Sequence, residues 1–235
     1  WQGCRPVLSL RPLRRNEVPL SAAPRVGARF PASHAAREGT KISKERHQVR
    51  DRIITSTDPI FDTISTPGIA QLANAAAGSK TLRKAGEALF GLHHEAPLPN
   101  FSPKALTKQL SATLGDEKPV TATERTTGKV AIYVTCYGDH NEPQMVKDLV
   151  AVLNHNNVPV KILQDAKCCG MPKLELGDLK KVGKMKDANI PVFQQAIAEG
   201  YDIIAPIPSC VLMYRQELPL MFPKDEAIAS VKAHF

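Results

Sequence analysis

The sequence predicts an α/β protein, a small parallel sheet with flanking helices, preceded by a helical and extended N-terminal region. In the second half of the 235-residue chain, short apolar, β-branched runs alternate with segments whose apolar residues recur at helical spacing. Such alternation is typical of a parallel sheet with right-handed crossovers, here as a three-layer unit. In the first half, helical periodicity gives way to a proline-rich stretch, which indicates helices followed by an extended linker.

Residues 1–47 are interpreted as a basic arm. The first 40 residues hold seven Arg, no Lys and only Glu17 and Glu38, so this segment supplies a surplus of five to the net charge of +8. Abundant Arg, Ser and Ala with few acids are typical of a mitochondrial targeting segment, although several prolines would interrupt its helix. An irregular arm lying on a partner subunit explains the same composition. The remainder, with 24 basic and 21 acidic residues, gives no reason to expect a nucleic-acid partner.

Residues 48–128 are predicted to form a helical region and a proline-rich linker. Pro67 opens a helix or helix pair that is interrupted at Gly78-Ser79, and its apolar stripe predicts core packing, with a membrane-surface role as the alternative. From His93 to Gly128, Pro, Ser and Thr indicate an extended strap with a short helix from Lys104 to Leu114. No window approaches the roughly 20 apolar residues of a spanning helix.

Residues 129–235 are predicted to form the α/β domain. Its apolar runs are too short for helices and rich in Val and Ile, whereas the segments between them carry apolar residues at three- and four-residue spacing. The predicted strands are 129–136, 159–164 and 201–207, and the predicted helices are 143–157, 176–200 with a break before Pro191, and a last one from 211 to 218.

Four of the five cysteines fall at corresponding places in this predicted domain. Cys136 ends the first strand, and Cys168 and Cys169 lie in the loop after the second. Cys210 lies in the loop after the third strand. Because the carboxyl ends of parallel strands share one edge of a sheet, the four thiols are expected to converge there. An odd number of cysteines, most of them in the last hundred residues, does not resemble a secreted disulfide framework.

The stretch KCCGMP indicates what the thiols are for. Adjacent cysteines cannot pair without strain, so one loop can offer two ligands, aimed by a backbone that Gly170 and Pro172 shape. Convergent thiolates suit an iron-sulfur cluster or a zinc ion, and buried structural cysteines are the alternative. No base is fixed beside the thiols by local spacing, and His140 is the nearest candidate, equally suited to support a metal ligand. No catalytic residue is predicted.

Three motifs carry a resemblance to a known family. Residues 129–223, with TCYGDHNEPQMVKDLVAVLN, KCCGMPKLELGD and PSCVLMYRQELPLMFP, resemble the CCG cysteine-rich domain that occurs in subunits of heterodisulfide reductase and of anaerobic glycerol-3-phosphate dehydrogenase. The stretch TPGIAQLANAAAGSKTLRKAGEALFGLHHEAPLPNFSPKAL is similar to the linker that precedes the first CCG domain in the glycerol-3-phosphate dehydrogenase protein. The resemblance covers residues 60–235.

The resemblance implies an iron-sulfur electron-transfer subunit of a membrane-associated respiratory dehydrogenase complex, rather than a free-standing enzyme. The implied cofactor is a four-iron cluster, with zinc as the alternative, and the implied partner is a flavin-containing dehydrogenase or another respiratory subunit that brings the chain to the membrane. Together with the basic arm, this predicts a mitochondrial location at the periphery of the inner membrane. The implied ligands are Cys136, Cys168, Cys169 and Cys210.

The sequence also departs from the family pattern. The full motif closes with a fifth cysteine in a C-x-x-C pair, and here Met213 stands in that place, although four thiolates could still hold a four-iron cluster or zinc. The family members from glycerol-3-phosphate dehydrogenase also carry ferredoxin-type cysteine runs and a second CCG domain, which this sequence does not contain. The alternative function is a non-redox accessory subunit of a mitochondrial respiratory complex that keeps the CCG fold with an empty or zinc-filled site.

Overall fold

The computed structural model describes residues 49–114, 120, 122–124 and 126–235. The predicted basic arm, residues 1–47, lies outside the described residues. Within the described ranges, no helix is both long enough and apolar enough to cross a membrane.

The described part of the chain begins with four helices, and glycine and serine residues lie at the ends of the third and fourth. Gly68, at φ +90°, precedes the third helix and donates its N–H to the Gln71 side chain. The Ser79 hydroxyl accepts from the Leu82 N–H and so caps the fourth helix, which ends at a left-handed Gly91. The helix pair interrupted at Gly78-Ser79 is present as predicted. The helices are α1 (Val49–Ile54), α2 (Thr57–Ile64), α3 (Ile69–Gly78) and α4 (Lys80–Phe90).

An extended strap follows, and the helix predicted from Lys104 to Leu114 was wrong. Ala105 and Leu106 are buried, and the strap makes a single turn, in which the N–H groups of Gln109 and Leu110 donate to the Leu106 carbonyl, while other N–H groups donate to another segment. The Leu106 N–H donates to the Asp139 carbonyl over 3.0 Å, and the Thr107 N–H donates to the Asp139 carboxylate over 2.6 Å. Tertiary hydrogen bonds thus override a weak helical propensity. The strap ends in the short strand β1 (Thr113–Leu114).

The sheet has the order β1-β3-β2-β4, and its three longer strands are β2 (Val130–Ile132), β3 (Val160–Ile162) and β4 (Asp202–Ile204). β2 pairs parallel with both β3 and β4, whereas β1 adds to β3 in the antiparallel sense. This arrangement confirms the predicted fold class. The helices of this part are α5 (Thr135–His140), α6 (Pro143–His155), α7 (Met171–Glu175), α8 (Leu179–Ala198), α9 (Pro208–Leu212), a π-helical turn (Met213–Glu217), α10 (Leu218–Met221) and α11 (Glu226–Ala233).

The boundaries differ from the predicted ones in several places, because all three predicted strands are shorter and the last helical segment begins at Pro208 rather than at 211. The first strand stops at Ile132, so that Cys136 lies in a short helix rather than at a strand end. The helix α8 runs through Pro191 without the predicted break. An interior proline costs a helix about 3 kcal/mol. Ile190 and Phe193 on either side of it are buried in the core, and this burial holds the helix in place.

The core lies on both faces of the sheet. Ala131 and Tyr133 point to one face, where they meet Phe193 and Tyr214. The alternate residues of the same segment point to the other face, against α6 and the strap. Two packed faces make this a three-layer unit, with the carboxyl ends of β2, β3 and β4 at one edge.

Candidate metal centre

The four cysteines predicted as ligands come together at the carboxyl edge of the sheet. Cys136 follows β2, Cys168 and Cys169 follow β3, and Cys210 follows β4. The sulfur atoms of Cys136 and Cys168 lie 3.7 Å apart. The Cys169 thiol interacts by hydrogen bonding with both the Cys168 and the Cys210 thiols. All four are free thiols; Cys136 is half-buried and the others are buried.

The backbone is strained where it turns toward Cys136. Thr135 has φ +66°, a conformation that is a genuine outlier for a β-branched residue and that costs about 1–3 kcal/mol. Its hydroxyl accepts from the Gly138 N–H over 3.3 Å and so fixes the first turn of α5. Gly138 itself is necessary, because a Cβ there would lie 2.9 Å from a methyl group of Val146. This strain lies at the residue directly before Cys136.

Gly170 allows the vicinal cysteines to lead directly into a helix. Its φ of +90° is unfavourable for any side chain, and a Cβ there would lie 3.4 Å from the Met185 sulfur. Its carbonyl accepts from the N–H groups of Lys173 and Leu174, which begins α7 immediately after Cys169. Pro172 lies in the first turn of that helix, where its missing N–H costs nothing. Both residues thus shape the cysteine loop in the way the sequence predicts.

A buried amide on α8 fixes the other side of the cysteine loop. Asn189 accepts from the Lys167 N–H over 2.6 Å and donates to the Lys167 and Cys168 carbonyls. The same amide donates to the Tyr214 hydroxyl over 2.7 Å, and the Tyr133 hydroxyl donates to the Lys167 carbonyl over 2.6 Å. Sequence reasoning missed Asn189. The available signal is a polar residue among the apolar, core-facing residues of a helix. That signal can be interpreted only when the loop packed against the helix is known.

Electrostatically, Cys168 is the centre of the group. Hydrogen bonds from the Cys136 and Cys169 thiols lower the pKa of Cys168 to about 3, despite its burial. The Thr57 hydroxyl and the Gly170 N–H act in the same direction. In turn, donation to Cys168 and burial raise the pKa of Cys136. Because a thiolate is the form that binds metal, these contacts favour Cys168 as a metal ligand.

Two further residues at the site come from α2, about 110 positions earlier in the chain. The two carboxylate oxygens of Asp58 each lie 3.1 Å from the Cys168 N–H nitrogen. Burial, together with the neighbouring Cys168, raises the pKa of Asp58 to about 6. Thr57 is also buried, and its hydroxyl oxygen makes no hydrogen bond of ordinary distance and angle. Sequence reasoning missed both residues, because TSTDPIF reads only as a helix start.

Two polar contacts dock α1 and α2 onto the α/β part. The Lys173 side chain is only 2% exposed, and its Nζ donates to the hydroxyls of Thr55 and Ser56 over 2.6 and 3.0 Å. His140 on α5 is also buried, and its Nδ1 lies 2.9 Å from the Ser65 hydroxyl. His140 was a candidate to support a metal ligand. Its contacts with Ser65 and with the Asp62 carboxylate, 3.6 Å away, instead join α5 to the helical region.

The position of the missing fifth cysteine is part of the core. Met213 is fully buried and belongs to the same apolar cluster as Cys169 and Cys210. It begins the π-helical turn Met213–Glu217, a rare distortion that is often found at functional sites. The thioether therefore packs where the family motif has a thiol, and the turn keeps it beside the other sulfur residues.

One other group of potential ligands occurs among the described residues. Glu87, His93 and His94 bring their ligand atoms within 4.8 Å of one another. His94 Nδ1 already lies 2.7 Å from the Glu87 carboxylate, and His93 Nδ1 accepts from the Glu95 N–H. These hydrogen bonds give the group a structural role, which is to hold the segment after α4 against the end of that helix. Arg83 on α4 also donates to the carbonyls of both histidines.

Comparisons with known proteins agree with the arrangement of the cysteines. Residues 130–215, which contain all four, match the family model of the cysteine-rich domain called CCG. This segment is a CCG domain. The match begins at β2 and ends within the π-helical turn. It leaves out α1 and α2, although α2 contributes Thr57 and Asp58 to the surroundings of Cys168.

Curated relatives match more of the chain than the CCG domain alone. One subunit of the anaerobic glycerol-3-phosphate dehydrogenase of Escherichia coli (strain K12) is 27% identical over 190 residues, which are 80% of this chain and 46% of the relative. The lactate utilization protein A of an Exiguobacterium species is 34% identical over 107 residues, 43% of either chain. This chain thus spans about half the length of the curated relatives it matches. No solved structure matches it.

Proposed function

We propose that this chain is an iron-sulfur electron-transfer subunit of a dehydrogenase complex. The observation that carries the proposal is the convergence of four free thiols within a CCG domain, where neighbouring groups lower the pKa of Cys168. The relatives support the dehydrogenase context, because their names describe a subunit of glycerol-3-phosphate dehydrogenase and a protein of lactate utilization.

Four convergent thiolates can hold either an iron-sulfur cluster or a single zinc ion. The thiols form a continuous set from Cys136 to Cys210, with 3.7 Å between the sulfur atoms of Cys136 and Cys168. We propose a four-iron cluster, with one thiolate for each iron atom, because the match to the CCG domain and the names of the relatives support redox chemistry, which a zinc ion does not supply.

The protein's own contribution would be to hold the ligands and to exclude water. Cys136, Cys168, Cys169 and Cys210 would bind the cluster, which supplies one-electron transfer. The Gly170 N–H and the Asn189 amide fix the cysteine loop, and the apolar cluster beneath Cys169 and Cys210 keeps one side dry. Burial and hydrogen bonds to sulfur are the means by which a protein sets a cluster's potential.

The partners and location in the cell also belong to the proposal. Because a single cluster needs a nearby donor and acceptor, we propose a flavin-containing dehydrogenase subunit as one neighbour and association with the membrane through such partners. The Arg-rich composition of residues 1–40 supports a mitochondrial location. Localisation of the tagged full chain by cell fractionation would check this, and a cytosolic result would contradict it.

The decisive experiment is a metal and sulfide analysis of the full chain purified without oxygen. We expect iron and acid-labile sulfide in the unmodified chain and their loss in the Cys168→Ser, Cys169→Ser double variant. Cys4→Ser is the matched control, because Cys4 is not among the proposed ligands, and it should retain both elements. Zinc alone, or no metal in the unmodified chain, would overturn the proposal.

A further inference from the structure

The thiol group is covered by a helix that the CCG domain does not include. The first two residues of α2 lie against Cys168, and both are largely buried there. Further along the same helix, Asp62 and the following Ser65 contact His140 on the helix that carries Cys136. α2 therefore touches two of the three segments that supply the cysteines.

The Thr57 hydroxyl has no acceptor within its own helix. A threonine at least one turn into a helix can donate its hydroxyl hydrogen to the backbone carbonyl four residues before it. Thr55 donates to Asp51 in this way, and Thr63 donates to Pro59. Thr57 is the first residue of α2, and the connection before it breaks the helical ladder. Its hydroxyl is buried without a completed hydrogen bond, and it lies beside the Cys168 sulfur. A buried donor in this position requires an acceptor.

We propose that Thr57 is a positioning residue that donates its hydroxyl hydrogen to the sulfur of Cys168 when the cluster is bound, and that it thereby raises the reduction potential of the cluster. The inference rests on the proposed function. A hydrogen bond to an anionic sulfur is stronger than one between neutral groups, and it favours the reduced cluster because that form carries the greater negative charge. The donor comes from outside residues 130–215, so it belongs to this chain's N-terminal region rather than to the CCG domain itself.

The test compares reduction potentials in the full, cluster-containing chain, followed by electron paramagnetic resonance during a redox titration. Thr57→Val removes the hydroxyl at nearly constant volume, and Thr57→Ser keeps it. Thr63→Val removes an exposed hydroxyl from the same helix and is the control. We expect the ratio of reduced to oxidised clusters at the wild-type midpoint to be about fivefold lower in Thr57→Val, the equivalent of one hydrogen bond. Thr57→Ser and Thr63→Val should follow the wild type.

Iron content separates the possible failures. An unchanged potential in Thr57→Val with full iron content would overturn the inference and leave the proposed function intact. Loss of iron from both Thr57→Val and Thr57→Ser would also overturn it, since the hydroxyl retained in Thr57→Ser would then not be enough to preserve the site. Loss of iron from Thr57→Val alone would support a bond between the hydroxyl and the site. A wild-type chain without iron would overturn the proposed function and this inference together.

Discussion

At the scale of single residues, the site depends on backbone conformations that few amino acids can adopt. Thr135 and Gly170 both have positive φ, and each lies next to a cysteine. At Thr135 the strain is borne by a β-branched residue and offset by surrounding packing, whereas at Gly170 the absence of a side chain avoids it. The direction of the thiols is therefore determined by the residues beside them as much as by the sheet.

Substitution of Gly170 should damage both stability and metal binding. We expect Gly170→Ala to lower the free energy of unfolding by about 1–3 kcal/mol, because the left-handed conformation is strained for alanine and the Met185 side chain must move. Urea unfolding measures the first effect and iron content the second.

Gly86 provides the control for this substitution. It lies inside α4 with no neighbouring atom within 4 Å of an added Cβ. Gly86→Ala should raise the free energy of unfolding by about 0.5–1 kcal/mol, because alanine favours the helix. A Gly170→Ala chain as stable as the wild type would show that the loop tolerates another conformation.

At the scale of elements, the contact between α2 and α5 depends on a neutral histidine. Burial lowers the pKa of His140 below its ordinary value of 6.5. Below that pH the unfolded chain takes up a proton that the folded chain resists, so the folded state loses stability as the pH falls. Above it, both states are neutral at this position and the effect vanishes.

This pH dependence can be measured by urea unfolding between about pH 7.5 and about pH 5.5. We expect His140→Gln to lose less stability than the wild-type chain over this range, because glutamine does not titrate. The raised pKa of Asp58 has the opposite effect on stability as the pH falls, and all three chains share it. His155→Gln, which changes an exposed histidine at the end of α6, should keep the wild-type slope. Equal slopes in all three chains would show that His140 accepts a proton freely in the folded state.

At the scale of the whole molecule, one lysine connects the N-terminal helices to the CCG domain. Lys173 lies on α7, directly after the cysteine loop. Its ammonium donates to the Thr55 and Ser56 hydroxyls and to the Arg52 carbonyl. Burial lowers its pKa, and the hydrogen bonds compensate for the buried charge. The two parts of the chain are thus held together close to the thiols.

Truncation of this side chain should release the N-terminal helices. We expect Lys173→Ala to lower the free energy of unfolding by about 2 kcal/mol and to speed amide hydrogen exchange in residues 49–64. Lys186→Ala removes another partly buried lysine, which lies on α8 and pairs with Asp187 and Asp225 rather than with the N-terminal helices, and should leave exchange in 49–64 unchanged. Unchanged exchange in Lys173→Ala would mean that α1 and α2 are held by other contacts.

Much of the fold could be predicted from local patterns in the sequence, whereas several contacts around the thiols could not. The alternation of apolar runs with helical periods was enough to predict the parallel sheet and the convergence of four cysteines at its edge, because strand polarity fixes where the loops meet. The strap around Leu106 and the roles of Thr57, Asp58 and Asn189 could not be predicted. Their partners lie between about 20 and 110 residues away, and no periodicity in the sequence records such contacts.

The contact between Asp58 and Cys168 also has a consequence for assembly in time. The two residues are 110 positions apart, so during synthesis α2 emerges well before the loop that it covers. Closing so long a stretch of chain carries an entropy cost that nearby contacts avoid, which makes it one of the later events in folding. Until that closure, the thiols remain open to an incoming metal donor. A helix that is made early in synthesis is then late to cover the cysteines.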